Sequence, residues 1–239
     1  RVLTILAPLY NEEESLPRFV EQMDIFLRKS DIPTKVLFIN DGSSDQSLKF
    51  LTDICERKQC YEFISLDKNY GLSTAVKAGI NRCDTMYVGY IDTDLQTSPE
   101  DFLLFYPFLQ DFDMVTGIRV DRHDPFIKRM SSRIANSIRD WMIQDGIIDT
   151  GCPLKIMRTS IAREVPFFDG MHRFLPALIQ LYGGTVKQVP VKHYARLAGK
   201  SKYHLFNRLL GPFTDALVFM WMRRNVIKYF ISKESHGRY

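Results

Sequence analysis

The sequence predicts an α/β fold, a mostly parallel β-sheet flanked by helices, and three observations carry that expectation. Short apolar runs that read as fully buried strands recur through the first half of the chain. Amphipathic stretches of helical period separate them, as crossover connections require. Four of the runs end in a polar loop. Composition agrees: of 239 residues, 45% are hydrophobic and 25% charged, which is ordinary globular usage and excludes a disordered or collagen-like chain. The length suits one α/β domain with an appendage, and it can bury a core without disulfides.

The first strand is expected over Val2–Ala7, with Pro8 ending it. Residues Leu16 to Leu27 follow as a helix whose apolar stripe is Phe19, Val20, Met23, Phe26 and Leu27. Further strands are expected at Val36–Ile39, Tyr61–Leu66, Met86–Ile91 and Asp113–Gly117. Ser43 or Ser44 is expected to cap the helix after the second strand. Ser98-Pro99-Glu100 reads as a helix start with proline in the first turn.

In parallel α/β sheets, ligands bind at the carboxyl ends of the strands. Here those ends run into Tyr10-Asn11-Glu12, Asn40-Asp41-Gly42-Ser43-Ser44-Asp45, Asp67-Lys68-Asn69-Tyr70-Gly71 and Asp92-Thr93-Asp94-Leu95-Gln96. Any one could be a plain loop; four at one edge define a site. Asp92-Thr93-Asp94 is the sharpest feature. Extended backbone would aim Asp92, Asp94 and Gln96 to one side, an all-oxygen set suited to Mg²⁺ or Mn²⁺. An isolated pair of this kind is as readily a capped turn, but the apolar strand before it and the acidic loop from Asp41 to Asp45 favour the metal. The first strand is followed by no glycine-rich turn and no Walker A loop exists, which argues against a dinucleotide-dependent dehydrogenase. Phosphates must therefore be held by a metal and by basic side chains.

Those loops, in order with Pro8-Leu9, Gly117-Ile118-Arg119, Ser132-Arg133, Asn136-Ser137, Asp149-Thr150-Gly151-Cys152, Arg196 and Gly199-Lys200-Ser201-Lys202-Tyr203, carry a resemblance. The chain resembles family 2 glycosyltransferases of GT-A fold, in particular the polyprenyl-phosphate glycosyltransferases such as dolichol-phosphate mannose synthases, and the matching pieces span Pro8 to Tyr203. The resemblance implies that Pro8, Tyr10, Glu12, Asp41 and Asp92 contact the nucleotide. It implies that Asp92, Asp94 and Gln96 hold a Mg²⁺ or Mn²⁺ ion on the donor diphosphate. Arg119, Arg133 and Ser137 would receive the acceptor phosphate, and Arg196 and Lys202 would grip phosphates from a closing loop. Asp94, Arg119 and Arg133 would be the catalytic residues. Two positions depart from the family pattern: Thr93, where many relatives carry alanine, and Lys200, where glutamate is frequent.

The implied reaction moves a sugar, with inversion, from a UDP- or GDP-linked donor to a polyprenyl phosphate such as undecaprenyl or dolichyl phosphate. A phosphate monoester has a second pKa of about 6 and is already mostly a dianion at neutral pH, so no general base is assigned. The alternatives are a GT-A enzyme acting on a saccharide hydroxyl, which would need a base, and a non-catalytic binder of nucleotide sugar or lipid phosphate.

Charge and hydropathy place the partners. The net charge is +4, yet from Arg196 onward nine Lys/Arg face only Asp215 and Glu234, so the remainder is mildly acidic. Residues 1–202 are expected to form the GT-A catalytic domain, and 203–239 an amphipathic, basic helical tail. That tail would pack on the domain as a pair of helices, or meet a membrane surface, a membrane-protein partner or a second copy of the chain. No signal peptide is read, and no uncharged run approaches the about 20 residues that span a bilayer, so a cytoplasmic, peripheral location is expected. The basic residues form a tail rather than an aromatic-studded groove, which argues against nucleic acid. Cys55, Cys60, Cys83 and Cys152 lack zinc-ligand spacing and read as reduced thiols, with Cys152 in packing. His172 and His193 stand apart and read as packing or surface residues, while Asp149 either anchors the acceptor side or caps a turn.

Overall fold

A computed structural model describes residues 2–120, 143, 145–194 and 217–225. Its sheet has seven strands in the order β3-β2-β1-β4-β6-β5-β7. They are β1 (Leu3–Leu9), β2 (Thr34–Asn40), β3 (Tyr61–Ser65), β4 (Tyr87–Tyr90), β5 (Met114–Val120), β6 (Lys155–Arg158) and β7 (Val186–Lys192). Only β6 runs against its neighbours, β4 and β5; the other pairings are parallel. The helices are α1 (Leu16–Lys29), α2 (Ser47–Arg57), α3 (Leu72–Arg82), α4 (Thr159–Glu164) and α5 (Leu175–Leu181), with 3₁₀ segments at Pro99–Phe108 and Met171–Arg173.

The near-continuous apolar strands reflect burial on both faces. Leu3, Ile5, Ala7 and Leu9 of β1 pack with Phe19, Met23 and Phe26 of α1 and with Phe102 and Phe105. On the opposite face Leu6, Leu37 and Ile39 meet Ala75, Val76 and Ile80 of α3, and the same cluster continues to Leu175 and Leu178 of α5. Each fully buried phenylalanine or leucine contributes about 1.5–3 kcal/mol relative to exposure. These two apolar layers therefore hold the sheet, and the loops at its carboxyl edge need not.

Three local expectations change. Pro8 does not end β1 but lies inside it, in register with Ile39. Leu6 O accepts from Ile91 N on the β4 side, and Leu9 O accepts from Asp41 N on the β2 side. Alternation thus turns the missing Pro8 N–H toward β4, whose ladder with β1 has already ended at Leu6 and Tyr90. Ser43 and Ser44 do not cap α2, whose N-cap is Gln46; Ser43 Oγ instead accepts from Asn11 N at 2.9 Å. Ser98 does start the next segment, its Oγ accepting from Glu100 N, but the turns that follow are 3₁₀. Pro107 sits within that segment, and its missing N–H suits short, irregular turns.

Residues 217–225 are helical. Phe219 anchors them, 3% exposed and stacked on Phe174 at 6.1 Å between ring centroids. Among the described residues no helix is long and apolar enough to cross a membrane. The rest of the expected tail lies outside the described residues.

Candidate active site at the carboxyl edge of the sheet

The β1 and β2 loops are zipped together by reciprocal hydrogen bonds. Asn11, held at φ 52°, donates its amide to Ser43 Oγ and accepts from Ser44 N at 2.8 Å through its Oδ1. Glu12 N donates to Ser47 Oγ, Glu13 N to Asp45 Oδ2, and Gln46 N returns to Glu13 Oε2. Glu12 Oε2 accepts from Ser15 Oγ at 2.8 Å. Tyr10 and Glu12 are half-buried beside this zip, at the end of β1.

Asp41 joins the β2 and β3 loops. It is 4% exposed, and its two carboxylate oxygens accept from Tyr70 N and Gly71 N, each at 2.8 Å. Gly42 makes this possible: its φ is +66°, and a Cβ there would stand 2.2 Å from the Lys68 carbonyl carbon. Asp41 therefore organises the edge of the site from below, and any nucleotide contact uses lone pairs those amides leave free.

The Asp92–Gln96 segment reaches the expected side by a different route. β4 ends at Tyr90, and Asp94 Oδ1 turns back to accept from Gln96 N at 3.1 Å, with Leu95 at φ 56°. Extended backbone thus does not produce the arrangement; a tight turn does. Burial still alternates: Thr93, Leu95 and Thr97 are buried while Asp92, Asp94 and Gln96 are partly exposed. Thr93, the departure from the family pattern, faces inward at 4% exposure. Tyr90 Oη donates to Asp92 Oδ1 at 2.6 Å. Burial first, and then the neighbouring Asp94 carboxylate, push Asp92 up to about 6. Two carboxylates that repel in this way, both presented by one turn, fit a divalent cation by donor chemistry. Among the described residues no group of three or more His, Cys, Asp or Glu side chains is arranged to hold a metal ion. Water and a substrate diphosphate would complete such a shell, as Mg²⁺ and Mn²⁺ sites allow.

Arg119 stands on β5, within electrostatic reach of Asp92. Its Nε and Nη2 each donate at 2.8 Å to Asp149, and its main-chain N donates to the same carboxylate at 3.1 Å. The two side chains are 13% and 7% exposed. The open question about Asp149 is thereby answered: it clamps Arg119. Arg119 remains in the electrostatic field of Asp92. The other expected phosphate ligands, Arg133, Ser137, Arg196 and Lys202, lie outside the described residues.

One group escaped the sequence reading, and the open choice for His172 falls to packing. Lys155 is a lysine at 1% exposure, in a four-residue strand where nothing in the sequence marks it as buried. His172 is not a surface residue: its Nδ1 shares a 2.8 Å hydrogen bond with Ser73 Oγ, which also accepts from Gly170 N. Burial, followed by the nearby Arg173 and Lys155 charges, lowers it to about 3, so it is neutral. His193 Nδ1 lies 3.2 Å from the Gln96 carbonyl oxygen, which also accepts from Tyr194 N. Cys152 is fully buried, as a packing residue is.

A mostly parallel sheet with one reversed strand beside an acidic turn defines the GT-A class of α/β protein, and solved structures agree. Glucosyl-3-phosphoglycerate synthase from Mycobacterium tuberculosis, in complex with Mn²⁺, UDP-glucose and glycerol 3-phosphate, superposes with a TM-score of 0.66 at 14% identity, covering 95% of this chain and 82% of that one. Staphylococcus aureus TarS 1–349 in complex with UDP-GlcNAc gives a TM-score of 0.61 at 16% identity, covering 92% of this chain and 66% of that one. The family model Glycosyl transferase family 2 matches residues 4–166, and the chain belongs to that family. Curated relatives include the undecaprenyl-phosphate 4-deoxy-4-formamido-L-arabinose transferases of Serratia proteamaculans and Sodalis glossinidius, 30% and 31% identical over 205 residues. Those alignments cover 85% of this chain but 63% of each relative, so the chain spans less than two thirds of their length.

Proposed function

We propose that the protein transfers a sugar from a nucleoside diphosphate sugar, a UDP-sugar such as those held by the two solved structures of the same fold, to a polyprenyl phosphate, with inversion at the anomeric carbon. The observation that carries this reading is the juxtaposition at one sheet edge of the Asp92/Asp94 pair and the buried Arg119–Asp149 clamp. The first is acidic and suited to a cation on a diphosphate; the second offers a fixed guanidinium to an anion. The relatives named for transfer to undecaprenyl phosphate point to the same acceptor class.

In this reading Tyr10, Glu12 and Asp41 frame the nucleoside, with Pro8 setting the end of β1 beneath them. A Mg²⁺ or Mn²⁺ ion held by Asp92 and Asp94, with Gln96 beside them, would supply charge neutralisation to the departing diphosphate. Arg119 orients the acceptor phosphate, with Arg133, Ser137, Arg196 and Lys202 as its further partners. The phosphate oxygen attacks the anomeric carbon, the bond to the diphosphate breaks, and the nucleoside diphosphate leaves with the electron pair. The acceptor is already anionic, so catalysis reduces to positioning and charge stabilisation.

The approach to lipid is assigned to residues 217–225. Leu217, Val218 and Trp221 are exposed at 47%, 42% and 66%, next to exposed Arg223 and Arg224. Apolar side chains flanked by arginines suit an anionic bilayer surface, in keeping with a peripheral enzyme on the cytoplasmic face. The test is incubation with UDP-sugars, Mn²⁺ and undecaprenyl phosphate in detergent, read by mass spectrometry. A glycosylated polyprenyl phosphate supports the reading. Donor turnover with no sugar on the lipid phosphate overturns it.

A further inference from the structure

Lys155 has no place in the reaction as described, yet it lies directly beneath the site. β6 sets it opposite Tyr90 of β4 and opposite Thr116 of β5. It therefore occupies the strand between the one leading to Asp92 and the one carrying Arg119. At 1% exposure, burial pulls its pKa down, and its N–H groups must find partners within the fold. Lys155 Nζ donates to the carbonyl oxygen of Cys152. Cys152 N in turn meets the Asp149 carbonyl at 3.4 Å, closing the turn that presents the Asp149 carboxylate to Arg119.

Gly151 completes the arrangement. A Cβ at this position would stand 3.0 Å from Arg119 Nη2 and 3.8 Å from Asp149 Oδ1, so a larger residue presses on the clamp itself. Two parallel charge-assisted bonds fix the plane of a guanidinium as well as its position. Asp149 takes the Nε–Nη2 edge, which leaves the Nη1 edge for an anion.

We infer that Lys155, the Cys152 carbonyl and Asp149 form a strut that aims the Nη1 edge of Arg119 at the acceptor phosphate. Lys155 and Asp149 are positioning residues that act through Arg119 and touch no substrate. The inference rests on the reading of Arg119 as a ligand of that phosphate, and it adds what makes Arg119 competent.

The test is calorimetric titration with farnesyl phosphate, a soluble isoprenyl phosphate, in the presence of UDP and Mn²⁺. Asp149→Asn and Lys155→Met are expected to weaken farnesyl phosphate by about 10–100-fold, the range a misplaced group of this kind produces. Gly151→Ala is expected to weaken it several-fold, and Lys155→Arg to restore most of the loss. UDP–Mn²⁺ affinity should stay within about twofold in Asp149→Asn and Gly151→Ala, the distinction that general destabilisation would erase; Lys155 also faces Asp92, so its variants are read on farnesyl phosphate alone. In an Arg119→Ala background the three substitutions should add nothing further, because residues acting through one group are not additive. Losses that multiply with that of Arg119→Ala overturn the strut while leaving the acceptor reading intact. An Arg119→Ala protein that binds farnesyl phosphate normally overturns the acceptor reading, and the strut with it. Should Lys155→Met fail to fold, Asp149→Asn and Gly151→Ala decide the matter alone, since both leave the buried lysine in place.

Discussion

The two halves of the candidate site are built by different physics. On the β1–β2–β3 side, polar side chains are spent on neighbouring main chain: Asn11 on Ser44, Asp45 on Glu13 and Ser47, and Asp41 on Tyr70 and Gly71. On the β4–β6–β5 side, charges face charges: Asp92 feels Asp94, Lys155 and Arg119, and Arg119 is clamped by Asp149. The first half is a rigid frame whose loss should show in stability. The second is an electrostatic device whose loss should show in ligand binding while the fold persists.

The largest effect is expected where the acidic turn is broken. Asp94→Ala should lower transfer by about 10³-fold, the scale seen when one preorganised charge-stabilising group is removed, with little change in melting temperature. The contrast breaks if the melting temperature collapses instead. On the frame side, Asp41→Ala leaves two amides without their charged acceptor and should cost about 3 kcal/mol in urea unfolding. Gly42→Ala should follow at about 2 kcal/mol, from left-handed backbone strain and the collision with Lys68. If both unfold like the parent, the loops are not held from below as described.

A pH-dependent effect completes the contrast. His172 is neutral in the fold, lowered from 6.5 to about 3, so the folded state binds fewer protons than the unfolded chain in that window. Its contribution to stability is fully present above 6.5 and is lost as the pH falls toward 3. Parent and His172→Asn should therefore lose stability at different rates between pH 6.5 and 4. Identical slopes would mean that the ring is not shielded as the Ser73 contact indicates.

The frame was more legible in the sequence than the device. Five strands, the α1 stripe and the Ser98 start could be read from apolar runs and local capping, which depend on neighbours in the chain. β6 was hidden because its four residues include Lys155 and Arg158, and only tertiary contacts reveal that the lysine is buried. β7 was hidden because Lys187, Gln188 and Pro190 dilute its apolar pattern; as an edge strand it tolerates proline. Asp92, Asp94 and Gln96 were expected on one side of extended backbone; all three are partly exposed, along a turn around Leu95. The Arg119–Asp149 clamp joins residues 30 positions apart, a pairing no local pattern encodes.

In the proposed function Asp92 and Asp94 hold a cation that holds a nucleoside diphosphate. The most direct measurement is the melting temperature of the parent and Asp94→Ala with UDP, GDP, CDP or NAD, each in Mn²⁺ and in EDTA. At 100 times its dissociation constant a ligand stabilises by about 2.7 kcal/mol, a shift of several degrees for a chain of this size. The parent is expected to show such a shift with one nucleoside diphosphate and Mn²⁺, absent in EDTA and absent in Asp94→Ala. A shift that survives EDTA or the substitution, or that appears with NAD alone, would contradict that role.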